Sequence, residues 1–402
     1  MTALPLSVNS PGDITAKSNG RHPAVLHVLA PAREGGLEAV VTMLSAGQGA
    51  DRAHVAAVIT PDQSPKTHPF VCGLAAIGVP VTPLVVGSRS YLAEYQQLAA
   101  LVSRIKPALL HTHGYRADII GGLVARSCGL PAVSTVHGFT GGSRRNRLNE
   151  HLQCVALRYA DGVIAVSKPL VHKLSAAGIP QSRIHFVQNG FAPLSDTLSR
   201  KKARHRLGIP DDRLVAAWIG RLSAEKGPDV ALDSLSHCGE QWHVSMIGDG
   251  REASQLRERA VSLGVVDRVT WHGPLPNAGS LLPAFDALIL TSRTEGTPIV
   301  VFEAMAAGVP IVATKVGGVP DVLTSADAIL VPPDMPHAIA WGLDEIARDQ
   351  KAADRRAAHS RQRLGESFAE HTWLARVAAV YERVLNDAFR CSARRAREEH
   401  VG

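Results

Sequence analysis

The stretch SRTEGTPIVVFEAMAAGVPIVATKVGGVPD, Ser292 to Asp321, reads as a strand end, a tight loop and a short buried helix stopped by glycine. The run Ala287 to Leu290 just before it supplies the strand. Pro298 suits the first helical position, where its missing N–H would be unpaired anyway, and Gly308 suits the C-terminal cap. The amides of Thr297, Ile299 and Val300 then point out of the helix start, where the macrodipole places roughly half a positive charge. Such a start attracts an anion, above all phosphate. Two carboxylates, Glu295 and Glu303, flank it with seven residues between them. Carboxylates repel phosphate, so both are expected to face hydroxyls. A ligand with hydroxyls at both ends and phosphates between them is a nucleotide sugar.

The rest of the chain frames this reading. With 402 residues it exceeds one ordinary core and suggests two domains. Hydrophobic residues make up 45 % and mean hydropathy is +0.03, which describes a water-soluble protein. No apolar run approaches the roughly 18 residues needed to span a bilayer, and the start, MTALPLSVNSPGD, lacks the features of a signal peptide. The five cysteines are scattered with no C-x-x-C pair, which implies free thiols, no zinc site and a cytoplasmic location. Charge is uneven. Residues 1–190 hold 17 Lys+Arg against 9 Asp+Glu, whereas residues 191–402 hold 26 against 27. Much of the excess lies on Arg144, Arg145, Arg147, Arg158, Lys168 and Lys173. Two readings stand: a solvated surface, or peripheral contact with an anionic membrane at about 1 kcal/mol per basic residue. With 4 % aromatics and no interleaved stacking residues, nucleic acid is not expected as a partner.

Short apolar runs alternate with longer amphipathic stretches along the chain. The runs are 24–30, 54–59, 79–86, 108–113, 132–137 and 162–167, then, after a break, 214–220, 242–248, 268–273, 287–290, 310–314 and 328–332. Their β-branched character and the helical spacing between them predict βα units on parallel sheets. The break, FAPLSDTLSRKKARHRLGIPDD, is polar, basic and bounded by prolines, and reads as a linker near 190–212. The expected class is therefore α/β: two doubly wound parallel-sheet domains facing a cleft. The boundaries are a flexible tail over 1–22, a first domain over 23–195, a second over 213–367, and a C-terminal helix and tail over 368–402. The pattern from Phe368 to Leu385 carries Trp373 and Tyr381 at helical spacing, and the charged end beyond Arg390 is expected to fray.

Further candidates sit at predicted strand ends, the edge where open α/β sheets bind ligands. Gly220-Arg-Leu-Ser-Ala-Glu-Lys-Gly227 places Arg221 and Lys226 on a strand-to-helix loop, a planar fork and a compact point charge for a diphosphate. In the first domain, Gly35-Gly36 follows the first strand and lets backbone amides approach a phosphate or sugar. His137 ends the run 132–137. It reads either as a structural histidine or as a contact to reacting hydroxyls. His111 and His113 are read as sheet-end residues. Asn189-Gly190 reads first as a turn and second as a ligand contact.

On these residues the chain resembles the retaining family-4 glycosyltransferases of the two-Rossmann (GT-B) type, including bacterial exopolysaccharide and lipid-linked glycan enzymes. The resemblance covers about residues 24–390. It rests on Gly35-Gly36, HTHGYRAD, TVHG at 135–138, AVS at 165–167, Asn189-Gly190, GRLSAEKG, IGDG at 247–250 and above all EGTP…EAMAAGVPIVAT…GGVPD. It implies that Arg221 and Lys226 hold the donor diphosphate and that Glu303 accepts hydrogen bonds from the ribose. Glu295, the amides of Gly296, Thr297 and Ile299, and Pro298 among them would meet the transferred sugar and the phosphate, with Gly36 on the opposite wall and His137 near the sugar. The C-terminal helix would cross back to the first domain. Thr297-Pro298 stands where many relatives carry Phe-Gly.

The resemblance further implies a hexosyltransferase that retains anomeric configuration, using a UDP- or GDP-sugar and a glycan or polyprenyl-diphosphate-linked acceptor. No Asp–His pair suited to an inverting base is evident, and no D-x-D motif is placed to bind a metal. Neither metal nor cofactor is therefore expected. The departing phosphate would itself take the acceptor's proton, and Arg221, Lys226 and the helix start would stabilise its charge. Two alternatives stand beside this reading: a sugar-nucleotide 2-epimerase, which shares the two-Rossmann plan, and, from a different class, a catalytically silent scaffold subunit of a glycan-assembly complex. A pyridoxal-dependent phosphorylase lacks its lysine motif here, and a nicotinamide dehydrogenase lacks G-x-G-x-x-G after the first strand.

Overall fold

The twelve apolar runs become strands because their β-branched and aliphatic side chains can be buried on both faces of a sheet, and among the described residues a thirteenth strand joins them. The computed structural model describes residues 25–32, 35–139, 144–192 and 197–399, with side chains described except at 144–145 and 391–399. The expected tail over 1–22 lies outside these residues. The first sheet holds β1 (Val25–Leu29), β2 (Ala53–Ile59), β3 (Val81–Val85), β4 (Leu109–His113), β5 (Ala132–Val136), β6 (Gly162–Ala165) and β7 (Ile184–Phe186). The second holds β8 (Leu214–Ile219), β9 (Trp242–Ile247), β10 (Val269–Gly273), β11 (Ala287–Leu290), β12 (Ile311–Thr314) and β13 (Ile329–Val331). The spatial orders are β3-β2-β1-β4-β5-β6-β7 and β10-β9-β8-β11-β12-β13, all pairings parallel. These are two Rossmann-like α/β domains. The edge strand β7 escaped the sequence reading because it is three residues long with a histidine at its centre.

Strand order reverses between β1 and β4 and again between β8 and β11. At such a switch point the flanking helices lie on opposite faces, so the loops at the carboxyl ends splay apart and leave a crevice. Gly35-Gly36 follows β1 and Gly114 follows β4. The loop from Gly220 to Gly227 follows β8, and the loop from Thr291 to Pro298 follows β11. The topology therefore carries the sequence-predicted loops to the two crevices.

One apolar core runs through both domains. It joins Val40, Leu44 and Leu109 of the first to Val301, Phe302 and Met305 of the second. The rings of Phe191, Phe302 and Phe368 link them, with centroids 6.2 and 5.0 Å apart, and the Phe191 amide donates to the Phe368 carbonyl at 2.9 Å. The last helix, Glu370–Glu399, then crosses back onto the first domain. Its seat is made by glycines. A Cβ at Gly47 would lie 2.4 Å from Leu374, one at Gly162 2.9 Å from Val384, and one at Gly190 2.4 Å from Trp373.

Three local expectations are corrected. The helix Ile299–Ala307 starts one residue later than expected, so Pro298 is its cap rather than its first residue, whereas Gly308 ends it in the left-handed region at φ 67°. The C-terminal helix runs on to Glu399 instead of fraying beyond Arg390. A preceding helix, Gln350–Ser367, ends at Phe368, where Phe191 docks. The stretch read as a linker contains a helix, Arg200–Leu207, fixed to the second domain by Arg204. This side chain is 1 % exposed. Its Nε donates to the Ala284 carbonyl, Nη1 to Pro210 and Asp211, and Nη2 to the Arg213 carbonyl and the Asp286 carboxylate, at 2.8–3.0 Å. All five N–H donors are satisfied.

Replacing Arg204 with alanine would strand several carbonyls and Asp286. We expect a loss of about 3–5 kcal/mol in denaturant unfolding of the second domain. A loss under about 1 kcal/mol would show that the helix is not anchored through this residue.

Candidate active site

The second-domain wall is built from two loops stitched together. The 220–227 loop makes a short turn, Ala224–Lys226, and passes through Gly227 at φ 62°. A Cβ there would lie 2.2 Å from the Thr291 carbonyl, so glycine is needed for the close approach. The Thr291 hydroxyl donates to the Gly227 carbonyl at 2.6 Å and accepts from Trp218 Nε1 at 3.0 Å. Arg293 adds a clamp. Its guanidinium donates to both oxygens of Asp229 at 2.9 and 2.7 Å, to Asp334 at 2.7 Å and to the Ala224 carbonyl at 2.7 Å. Lys226 is thereby delivered to Glu295. Its Nζ lies 2.7 and 2.9 Å from the two carboxylate oxygens, and Ser292 Oγ donates to Glu295 Oε1 at 2.6 Å. The carboxylate is almost fully enclosed, with 5 % of its side chain exposed against 33 % for Lys226.

The first-domain wall meets this loop directly. A Cβ on Gly296 would fall 1.7 Å from the His137 carbonyl oxygen. Thr297 Oγ1 donates to the Val166 carbonyl at 2.9 Å, and Thr294 Oγ1 reaches the Phe139 carbonyl at 3.4 Å. Below them, Asp321 accepts from the Lys168 amide at 2.8 Å, capping the helix Lys168–Ala176 across the domain boundary. Gly36 faces the start of the Ile299 helix, where its Cβ would be 3.6 Å from Ile299 Cγ1. Lys226, Glu295, Gly296, Thr297, Pro298, Ile299, His137 and Gly36 therefore form one assembly. The Thr297 hydroxyl, for which the sequence carried no expectation, is engaged by the facing domain.

Three candidates stand apart from this contact. Arg221 is 59 % exposed and lies 3.9 Å from Glu225, its one carboxylate neighbour among the described ion pairs. Glu303, one helical turn beyond Ile299, makes no hydrogen bond or ion pair among the described residues. Burial pushes its carboxyl up from 4.5 to about 7. Asn189 is buried next to Gly190, at the seat of Trp373, and among the described residues no hydrogen bond or ion pair joins it to the Lys226–Glu295 pair.

Glu38 was missed. It lies in the first turn of the helix Gly36–Gln48, buried, and accepts from the Ala32 amide at 2.6 Å. Burial raises its carboxyl and the positive Arg221 across the cleft opposes that rise. Gly35 makes room for it, since a Cβ there would lie 2.5 Å from Glu38 Oε2. The signal was the acidic residue two positions after Gly36, at a helix start where a carboxylate is stabilised.

Of the six cations singled out from the sequence, three are engaged within the fold. Lys168 pairs with Asp321 at 3.8 Å. Lys173 pairs with Glu150 at 3.6 Å and lies over the Phe139 ring, and Arg158 donates twice to the Ala177 carbonyl. The side chains of Arg144 and Arg145 lie outside the described residues. Among the described residues, one group of potential metal ligands comes together, His27, His111 and His113, with nitrogen atoms within 4.8 Å of one another. Those nitrogens are engaged in hydrogen bonds to side chains.

Comparison with known proteins places this geometry. A family model described as Glycosyl transferases group 1 matches residues 199–363, and one described as Glycosyltransferase Family 4 matches residues 34–193. A D-inositol 3-phosphate glycosyltransferase of Xylanimonas cellulosilytica is 30 % identical over 294 residues, 65 % of this chain and 70 % of that one. An uncharacterized glycosyltransferase of Methanocaldococcus jannaschii is 26 % identical over 274 residues, 64 % and 70 % of the two chains. The crystal structure of Anabaena HepE in complex with UDP and glucose has the same fold, with a TM-score of 0.80 at 23 % identity over 90 % of this chain and 100 % of that one. With each domain matched by its own family model and the walls meeting at the EGTP loop, the chain belongs to the group 1, family 4 glycosyltransferases of GT-B architecture.

Proposed function

We propose that this glycosyltransferase moves a hexosyl group from a UDP- or GDP-sugar to a hydroxyl of a glycan or polyprenyl-diphosphate-linked acceptor, with retention of configuration and without a metal ion. The observation that carries this reading is the Lys226–Glu295 pair beside the start of the Ile299 helix. An ammonium group has three donors, and Glu295 engages two. The third N–H, on a side chain one-third exposed, is free to meet a phosphate oxygen. Arg221, exposed and loosely tethered, supplies a second cation that can swing onto the diphosphate. The helix start adds its partial positive charge.

Charge grows on the diphosphate as the glycosidic bond breaks, so fixed cations stabilise the transition state more than the ground state. Lys226 and Arg221 together fill the role a divalent ion would otherwise take. Glu295 is held by Lys226 and Ser292, which suits it to accept sugar hydroxyls rather than to attack carbon. The acceptor hydroxyl enters on the face the diphosphate leaves and passes its proton to the departing phosphate oxygen. Glu303, desolvated and unpartnered, would gain hydrogen bonds from the ribose hydroxyls. A structural neighbour supports the donor class, and the acceptor class is the finer part of the proposal. HepE was crystallised with UDP-glucose, and a Bacillus subtilis relative is named as a putative teichuronic acid biosynthesis glycosyltransferase.

The acceptor class suggests a cytoplasmic enzyme resting peripherally on an anionic membrane. No helix among the described residues is long and apolar enough to cross one. The helix Arg144–Leu157 carries exposed Leu148 and Leu152, with Arg147 beside them, as a surface for such contact.

Lys226→Ala and Arg221→Ala should each lower turnover of a nucleotide sugar at least about tenfold, a loss of ~1.4 kcal/mol, with the fold intact. Wild-type turnover should persist in excess EDTA. Near-normal rates in either variant, or a rate lost to EDTA and restored by Mg²⁺, would reject the mechanism. Glu303 gives a pH signature. Its folded carboxyl titrates near 7, above the ordinary 4.5, so the stability tied to its neutral form is present below pH 4.5 and lost as pH rises through 7. Glu303→Gln should therefore gain on wild type, by on the order of 1–2 kcal/mol, between pH 4.5 and 8.5 in urea unfolding. A constant difference would contradict the desolvated carboxyl. In liposome flotation, anionic vesicles should carry the protein and neutral ones should not; equal behaviour would remove the membrane assignment.

A further inference from the structure

Behind His137 lies a buried chain of polar side chains drawn from three strands and two helices. His137 Nε2 is 3.2 Å from His113 Nδ1, and His113 Nε2 is 3.1 Å from His27 Nδ1. His27 Nε2 is 2.8 Å from Gln48 Oε1, and Gln48 Nε2 is 3.2 Å from Tyr381 Oη. Tyr381 Oη lies 2.6 Å from His111 Nδ1, whose Nε2 is 2.8 Å from Thr135 Oγ1. His27, His111 and His113 are at most 2 % exposed. No carboxylate touches any of these rings among the described residues.

A neutral imidazole has one N–H and one lone pair, so each contact in such a chain dictates the next. Burial without an anionic partner keeps the rings neutral, holding His27 and His137 down to about 4 and His111 and His113 well below their ordinary value. The phenol is the most acidic donor present, and its 2.6 Å contact suits O–H donating to the His111 lone pair. Its oxygen is then left as an acceptor and takes the Gln48 amide N–H. Gln48 Oε1 must face His27, which makes His27 the Nε2–H tautomer with an accepting Nδ1. His113 follows with Nε2–H, and so does His137. His137 Nδ1 is left as a bare lone pair, with no partner among the described residues and not sealed from solvent.

We propose that Tyr381 and Gln48 are positioning residues that fix the tautomer of His137 through His27 and His113, presenting Nδ1 to the cleft as an acceptor for a sugar hydroxyl. The use of that acceptor rests on the nucleotide-sugar reading above; the tautomer itself does not. Tyr381 belongs to the C-terminal helix, so the last segment of the chain sets hydrogen-bond polarity at a site in the first domain. The opposite polarity, with the Gln48 amide reversed, satisfies every contact equally in number. It would turn His137 Nδ1 into a donor, and the phenol proton is what selects against it.

The test is long-range ¹H–¹⁵N correlation of the histidine rings in the donor-free full chain, with Tyr381→Phe as the perturbation that keeps the ring. Wild-type His137, His113 and His27 are expected as Nε2–H tautomers, and His137 in Tyr381→Phe as a mixture. In a nucleotide-sugar assay the variant should lose about threefold to tenfold in kcat/KM while UDP or GDP binds as before. Wild-type His137 found as Nδ1–H, or an unchanged tautomer in the variant, would overturn the assignment. A changed tautomer with unchanged kcat/KM would overturn the positioning role, and metal bound stoichiometrically at the three buried rings would overturn the relay. Wild-type protein with the expected tautomers but inert toward every nucleotide sugar would instead refute the functional reading.

Discussion

The carbonyl oxygen of His137 resting against the α-carbon of Gly296 fixes the distance between the two walls of the cleft. No side chain fits there, so the Glu295 loop can rest on the first domain and the start of the Ile299 helix can face Gly36. Gly317 and Gly318 repeat the device one layer below. A Cβ on either would fall within 2 Å of the Glu295 or Gly296 carbonyl. Dispersion and hydrogen bonding both fall off over fractions of an ångström. Separation by even one methyl group would undo the Thr297–Val166 and Lys168–Asp321 contacts together.

Within that frame, three carboxylates of one chemistry take three different states. Glu295 is enclosed but paired, so its charge is compensated by Lys226. Glu38 is enclosed and bound to a backbone amide, with Arg221 as a distant counter-charge. Glu303 is desolvated with nothing to compensate it, and its proton is accordingly held to about 7. A buried group without a partner lowers stability unless a ligand supplies one. On the proposed reading, a nucleotide sugar's hydroxyls would donate to Glu303 and its phosphates would meet Lys226 and Arg221.

The elements legible in the sequence are those specified locally. Aliphatic runs such as AVSTV and ALIL place strands without reference to distant residues, and alternation with helical spacing fixes a parallel sheet. The EGTP loop and its glycine stop are likewise read from adjacent residues. What escaped depends on partners far along the chain. The Arg200–Leu207 helix looked like a polar linker because the partners of Arg204 include Ala284 and Asp286, some eighty residues on. The histidine chain was invisible because His27 and His113 are 86 residues apart and Tyr381 a further 268 beyond. Strand β7 and the Thr297 hydroxyl contact were not legible because one is too short to show a period and the other is made by a different domain.

The return of the C-terminal helix to the first domain also orders the birth of the molecule. Gly47, Gly162 and Gly190 form a dry seat that stays uncovered until Leu374, Val384 and Trp373 arrive. During synthesis the first domain must therefore wait, with an apolar strip bare, while about two hundred further residues leave the ribosome at roughly 5–20 per second. For ten seconds or more the groove stays open, and the helix Glu370–Glu399 closes it.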